Sequence, residues 1–153
     1  NEWAPYLQKV FQQSCILNMT EAEFVAAMVK IHAFRTYAGH NAKNQDLGLP
    51  QNESFTADTR REILAKKLYA SRSVNGQTTL ELLNDVLYGG SSETIPDRLY
   101  EAAWNPEKKI PHLGISCLGE IVGWALPDVM PPRNGRTSKA LYALGYDVTL
   151  YSE

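Results

Sequence analysis

Apolar residues recur at intervals of three and four along most of this chain, which is the spacing of one face of an α-helix. Residues 80–87 are a clear case, with leucine or valine at positions 80, 82, 83, 86 and 87. Only residues 146–151 alternate apolar and polar side chains as a strand does, and one strand cannot form a sheet alone. The sequence therefore predicts an all-α fold, a bundle of about seven helices joined by short loops.

Helix start and stop signals give the order of these helices. Thr20 and Glu23 form a capping-box pattern, and the helix they open is predicted to end near Gly39. Other helices are predicted over residues 3–17, from about 56 to 73, 79–89 and 96–103. Residues 39–55 are polar and lack periodicity, so they are predicted to form a loop. The basic residues of the helix 56–73 are spread around it, which favours a solvated face: Arg60, Arg61, Lys66, Lys67 and Arg72.

A chain of 153 residues is long enough for one domain. We expect a single helical domain over residues 1–153. Its parts are N-terminal helices (1–38), a loop (39–55), middle helices (56–103), a hairpin with the helices beside it (104–145) and a tail (146–153). Because the sequence opens on Asn1 and not on Met, we expect it to be a fragment of a larger protein.

The net charge and the cysteine content limit the classes of function that the chain can have. The net charge is −2, whereas proteins that bind nucleic acid by bulk electrostatics are usually basic, so any DNA binding must use a local patch. Cys15 and Cys117 lie far apart and show no zinc spacing, which favours free thiols in a reducing compartment. Without a signal peptide or an apolar membrane-length run, the expected location is cytoplasmic, or nucleoid-associated or nuclear if the chain binds DNA.

Residues 110–116, with the sequence IPHLGIS, carry a tight-turn signal directly before a predicted helix. They resemble the hairpin of the helix-hairpin-helix motif, whose common form is Leu-Pro-Gly-Val-Gly-x-x-Thr-Ala. Such a turn leaves unpaired backbone amides at the start of the next helix, where an anion such as a DNA phosphate can bind. His112 stands in place of the first glycine, and Leu118 stands where alanine is usual.

Residues 126–141, with the sequence LPDVMPPRNGRTSKAL, extend this resemblance. They are similar to the segment that follows the hairpin in DNA glycosylases of the helix-hairpin-helix superfamily, especially the alkylbase type. The resemblance covers residues 108–145 and implies a glycosylase-like helical fold. In that family an Asp at the position of Asn134 stabilises the developing sugar cation, and bifunctional members use a Lys at the position of Ser116. Since both groups are missing, the resemblance argues against cleavage of a glycosidic bond.

The predicted DNA contacts surround the hairpin and the start of the following helix. Residues 104–140 contain five Lys or Arg side chains against three acidic ones, so the region is locally positive. Backbone amides from Gly114 to Leu118 would hold phosphates. No catalytic or metal-binding residue is predicted, and the one cofactor considered is a monovalent cation at the hairpin, Ile110 to Ile115. The predicted DNA-binding residues are Lys108, Lys109, His112, Leu113, Gly114, Ile115, Ser116, Cys117, Arg133, Asn134, Arg136 and Lys139.

The hypothesis from sequence is a non-catalytic DNA-binding domain that reads duplex DNA, including modified DNA, for a restriction or repair system. Its expected partners are duplex DNA and a nuclease or ATPase subunit or domain, with no membrane. Two alternatives stay open. One is a DNA glycosylase whose acid is displaced, to Asp128 or into the 39–55 loop, and which flips a damaged base into a pocket. The other is a helical protein-interaction domain in which the hairpin is only a turn.

Overall fold

The computed structural model describes residues 2–130, and the regular elements within that range are all helices. This confirms the all-α class. An isolated bridge between Arg72 and Thr78 is the nearest approach to a strand in the described part of the chain. The seven α-helices of this range are α1 (Ala4–Val10), α2 (Glu21–Met28), α3 (His32–Thr36), α4 (Ala57–Ala70), α5 (Thr79–Tyr88), α6 (Ile95–Trp104) and α7 (Ile115–Ala125). The predicted helix after Pro131 and the alternating run 146–151 lie outside the described residues.

Three helices begin where threonine supplies a cap. Thr20, Thr56 and Thr78 each accept a hydrogen bond on the hydroxyl oxygen from a first-turn amide, at the starts of α2, α4 and α5. At Thr20 the predicted capping box is complete, since the Glu23 carboxylate accepts from the Thr20 amide at 3.0 Å. Local sequence therefore sets these three helix starts.

The continuous helix predicted from Thr20 to Gly39 is wrong. The structure ends α2 at Met28, turns through an extended Ile31, and restarts as α3. The reason is a distant side chain: the Glu120 carboxylate accepts the His32 amide at 2.6 Å and the Ala33 amide at 3.0 Å. Because these bonds replace those of a continuing helix, a tertiary contact overrides the local periodicity.

The predicted helix 3–17 is also shorter than expected. It ends at Val10, and residues 11–15 turn before a short 3-10 helix, Ile16–Asn18. This bend lets both Phe11 and Ile16 become fully buried. It also exposes the Phe11 carbonyl to the Tyr88 hydroxyl, which donates to it at 2.6 Å. Burial and one long-range hydrogen bond therefore end the helix early.

The segment 39–55, which was predicted to be a loop, contains short helical turns that an arginine side chain holds by hydrogen bonds. A π-helical turn (Tyr37–Asn41) continues from α3, and a 3-10 helix (Asn44–Leu47) follows. Arg60 is buried and donates to the carbonyls of Ala38 and Ala42 and to the Asn44 side chain. The prediction that Arg60 belongs to a solvated face is therefore wrong, because it satisfies the carbonyls of an irregular backbone.

Arg61 has a similar role one residue along α4. Its Nε donates to the Arg35 carbonyl at 3.1 Å, and its Nη1 pairs with Asp58 at 3.1 Å. The side chain is mostly covered, so the solvated-face prediction fails here too. For Lys66, Lys67 and Arg72, which are exposed, the prediction is confirmed.

The buried side chains form one cluster, and α7 runs through it. Eight of its eleven residues are buried, and it packs against α1, α3, α5 and α6. A helix that is apolar on all sides is expected at the centre of a bundle. The position of α7 is consequently fixed by packing on several sides.

No helix of residues 2–130 is both long and apolar enough to cross a membrane.

Candidate functional site

Ten residues, 105–114, connect α6 to α7, and the last five of them form the hairpin, residues 110–114. The Leu113 amide donates to the Ile110 carbonyl at 3.1 Å, which closes a four-residue turn. Pro111 and His112 are its central residues, and His112 has a positive φ of 71°. Proline followed by a positive φ is the pattern of a type II turn, in which the second position favours glycine. The chain therefore places histidine in a backbone conformation that usually calls for glycine.

The hairpin leads directly into α7, and the start of this helix has no side-chain cap. Gly114 is the N-cap residue, and no side chain accepts from the first turn. Leu118 is the first residue whose amide is paired, with the Gly114 carbonyl at 3.0 Å. The amides of Ile115, Ser116 and Cys117 have no hydrogen-bond acceptor among residues 2–130. Three donors at the positive end of a helix dipole are thus unpaired.

This start differs from those of the other α-helices in the described range. Threonine caps α2, α4 and α5, and Glu120 satisfies two amides of α3. Helices α1 and α6 carry proline within their first two residues, which removes one donor. Of the seven, α7 alone has neither a side-chain cap nor a proline.

A cleft of about 650 Å³ opens beside the hairpin, and we call it the hairpin cleft. One wall comes from α3 and the π-turn, another from the end of α6, and the third from the hairpin and the first turn of α7. Its lining residues are Ala33, Phe34, Tyr37, Asn41, Ala103, Trp104, Lys109, Ile110, Pro111, His112, Leu113, Gly114, Ile115, Ser116 and Cys117.

The His112 side chain is tied to the opposite wall. Its Nδ1 lies 2.6 Å from the Tyr37 hydroxyl, and the two rings are 5.8 Å apart between centroids. Burial lowers the pKa of His112; Lys67 adds to this and Asp46 opposes it. Burial and Asp46 raise the pKa of Tyr37. The lowered pKa favours the neutral imidazole at neutral pH, so His112 ties the turn to Tyr37 and supplies no positive charge.

The hairpin cleft brings together seven of the predicted DNA-binding residues: Lys109, His112, Leu113, Gly114, Ile115, Ser116 and Cys117. Leu113 and Cys117 are buried, so they can offer backbone groups but not side chains to a ligand. Lys108 is half-buried and lies next to the cleft in sequence without lining it. Arg133, Asn134, Arg136 and Lys139 lie outside the described residues.

Cys117 is the one cysteine in the lining of the hairpin cleft, and its thiol is not reactive. Burial, assisted by Glu120, raises the pKa of the Cys117 thiol far above its usual range, so the sulfur stays protonated. Cys15 is also a free thiol. No group of three or more His, Cys, Asp or Glu side chains is arranged to hold a metal ion within residues 2–130. Asp128, named by the displaced-acid alternative, is exposed in a turn and does not line the hairpin cleft.

Sequence reasoning missed the far walls of this site. Tyr37 and Phe34 sat inside a helix predicted to be continuous, and nothing in the local sequence indicates that a π-turn directs Tyr37 towards the hairpin. The partial signal in the sequence was Trp104, a large aromatic residue directly before an Asn-Pro helix break, which the structure leaves half-exposed in the lining of the cleft.

Comparisons with protein-family profiles, with curated proteins and with solved structures give no match to this chain.

Proposed function

We propose that this chain is a non-catalytic DNA-binding domain that holds a backbone phosphate of duplex DNA at the start of α7. The observation that carries the proposal is the set of three unpaired amides, those of Ile115, Ser116 and Cys117, next to a tight turn. Such a helix start attracts an anion through its donors and its dipole. The resemblance of residues 108–145 to helix-hairpin-helix glycosylases supports a DNA phosphate as that anion.

The surroundings of these amides favour a phosphate over a buried carboxylate of the protein itself. Gly114 is exposed, and a methyl group added to it would meet no atom within 4 Å, so a ligand can approach the backbone there. Lys109 is exposed on the same wall, and Lys108 precedes it. Amides that point at one phosphate, with two lysines beside them, allow a chain of net charge −2 to bind DNA locally.

The absence of catalysis in this proposal rests on side-chain chemistry. Ser116, at the position of the family's lysine, has no amine that could attack a sugar carbon. Asn134, at the position of the family's aspartate, lacks the negative charge that would stabilise a sugar cation. We therefore expect no release of free base from damaged duplex, and a release that disappears in Asp128→Asn would instead support the displaced-acid glycosylase.

Duplex binding over a range of salt concentrations tests the proposal. Plain and methylated duplexes should both bind at low salt, with affinity that falls as salt rises. Replacing Lys108 and Lys109 by alanine should lower the slope of log affinity against log salt by roughly 0.9 for each phosphate that the lysines neutralise. The matched control replaces Lys9 and Lys43, which are exposed and distant in sequence from the hairpin.

Two results would overturn the proposal. One is that the parent chain shows no duplex affinity at low salt; a protein partner recovered in its place would favour the interaction-domain alternative. The other is that the two lysine pairs have equal effects, since the interaction would then depend only on net charge. Arg133→Ala with Arg136→Ala extends the same test to the predicted contacts beyond residue 130, and should weaken binding without lowering the melting temperature.

A further inference from the structure

The hairpin cleft is larger than an anion site needs to be. At about 650 Å³ it falls within the range of roughly 300–1,000 Å³ that is typical of pockets for small molecules. A phosphate held by the amides of α7 would occupy only its edge. The remainder of the cleft is lined mainly by apolar and aromatic side chains, among them Phe34, Tyr37 and Trp104.

The charges of the lining favour a ligand with a negative group. Lys109 is its one charged side chain, and its fifteen residues include no aspartate or glutamate. His112 contributes no positive charge at neutral pH, because burial lowers its pKa. Ser116 and Asn41 add neutral hydrogen-bonding groups. The lining offers no carboxylate to a cation, whereas one negative group would find Lys109 and the unpaired amides at the start of α7.

We propose that the hairpin cleft binds a small aromatic molecule that carries one anionic group. The ring would pack against the aromatic and apolar part of the lining, which includes Phe34, Tyr37 and the half-exposed Trp104. The anionic group lies at the Lys109 side, within the field of the α7 dipole. This inference goes beyond DNA binding and stands without it, since the cavity and its charge are properties of the chain alone.

Two fluorescent probes test the class of ligand. 1-Anilinonaphthalene-8-sulfonate is an anionic aromatic molecule, and N-phenyl-1-naphthylamine is its neutral analogue. The anionic probe should bind at one site per chain. Lys109→Ala should weaken the anionic probe about fivefold, as expected for one partly solvated ion pair, and change the neutral probe less than about twofold. Lys9→Ala, which removes an exposed charge on α1, outside the lining of the cleft, should change neither.

Filling the cleft tests its location. Ala33 lines the cleft and is half-buried, so Ala33→Leu should reduce the affinity of both probes about tenfold or more by occupying the space. Ala26→Leu makes the same change on α2, outside the cleft, and should leave binding unchanged. Should Ala33→Leu fail to fold, Trp104→Ala removes an exposed ring of the lining instead and should weaken both probes.

The outcomes separate this inference from the proposed function. One-site binding of the anionic probe that depends on Lys109 and is blocked by Ala33→Leu supports the cleft, whether or not the chain binds DNA. Several equivalent sites, or binding that neither Ala33→Leu nor Trp104→Ala weakens, would overturn it even if duplex binding is observed. A cooperative melting transition in each variant confirms that the probes report on the folded protein.

Discussion

The starts of α3 and α7 differ in how their first amides are paired. At α3 the amides of His32 and Ala33 are both held by the buried carboxylate of Glu120, which also accepts from the Trp124 indole at 3.2 Å. That carboxylate belongs to α7, whose own first-turn amides have no such partner among residues 2–130. Helix α7 thus caps the start of α3, while the amides of its own first turn have no acceptor among residues 2–130.

The capped start of α3 contributes to stability, whereas the open start of α7 is suited to binding. A capped helix start contributes about 1 kcal/mol, and a buried charged cap contributes more. The start of α7 forgoes only about a few tenths of a kcal/mol, because glycine, which Gly114 supplies at the N-cap position, costs little relative to serine, threonine or aspartate. A fold can hold an uncapped helix start when packing fixes the helix, as it does for α7. The open amides are then available to a ligand.

The largest effect should come from removing the cap of α3. Glu120→Ala leaves two amides and an indole N–H without their acceptor in the core, so we expect a loss of about 3–4 kcal/mol in the free energy of unfolding. Chemical denaturation measures it. Glu53→Ala, on an exposed side chain, is the control and should change stability by less than about 0.5 kcal/mol. Equal effects of the two would show that Glu120 is not the cap described.

Arg60→Ala should have the next largest effect. It leaves the carbonyls of Ala38 and Ala42 unpaired in the π-turn that forms one wall of the hairpin cleft. We expect a loss of about 3 kcal/mol, measured in the same way. Arg72→Ala, where the guanidinium is exposed and donates to the Gly76 carbonyl, should lose less than about 1 kcal/mol. A small effect of Arg60→Ala would mean that the π-turn does not depend on this arginine.

Tyr37→Phe tests the contribution of the hydrogen bond that holds the hairpin. It removes one hydroxyl and its hydrogen bond to His112, so stability should fall by about 1 kcal/mol. Amide exchange in the hairpin should accelerate more than exchange in α4 or α5, since Tyr37 restrains only the turn. Uniform acceleration across the chain would contradict the assignment of this bond to the hairpin.

The smallest effect is a pH dependence from His112. Because burial lowers its folded pKa below the usual 6.5, the unfolded chain binds a proton more readily than the folded one. The contribution of the neutral imidazole is therefore full above the unfolded pKa and is lost as pH falls through the folded pKa. Between about pH 7 and about pH 5 the parent chain should lose more stability than His112→Asn, a residue that also tolerates positive φ. Equal losses would contradict a neutral, half-buried His112.

Local sequence predicted the helices whose limits are set by local chemistry. The cap at Thr20 and the apolar repeat of α5 need only neighbouring residues, and both match the structure. The hairpin turn before α7 was visible for the same reason. The prediction failed where a distant partner decides, as with Glu120 at the start of α3 and Arg60 in the segment 39–55. The cleft could not be predicted, since its walls come from segments that are far apart in the sequence and meet through tertiary contacts such as these and the Tyr37–His112 bond.

The central claim is that the open start of α7 binds a phosphate of duplex DNA, and a carboxylate built into that start tests it most directly. Ser116→Asp places a negative charge in the first turn of α7, where it should hold or raise the melting temperature. Ala22→Asp places the same charge at the same position of α2, on an exposed side chain. At low salt, Ser116→Asp should weaken duplex binding by about tenfold or more, because the carboxylate occupies the amides and repels the phosphate. Ala22→Asp should weaken it less than about threefold by its net charge alone. Equal losses in the two variants, or unchanged binding in Ser116→Asp, would contradict the claim.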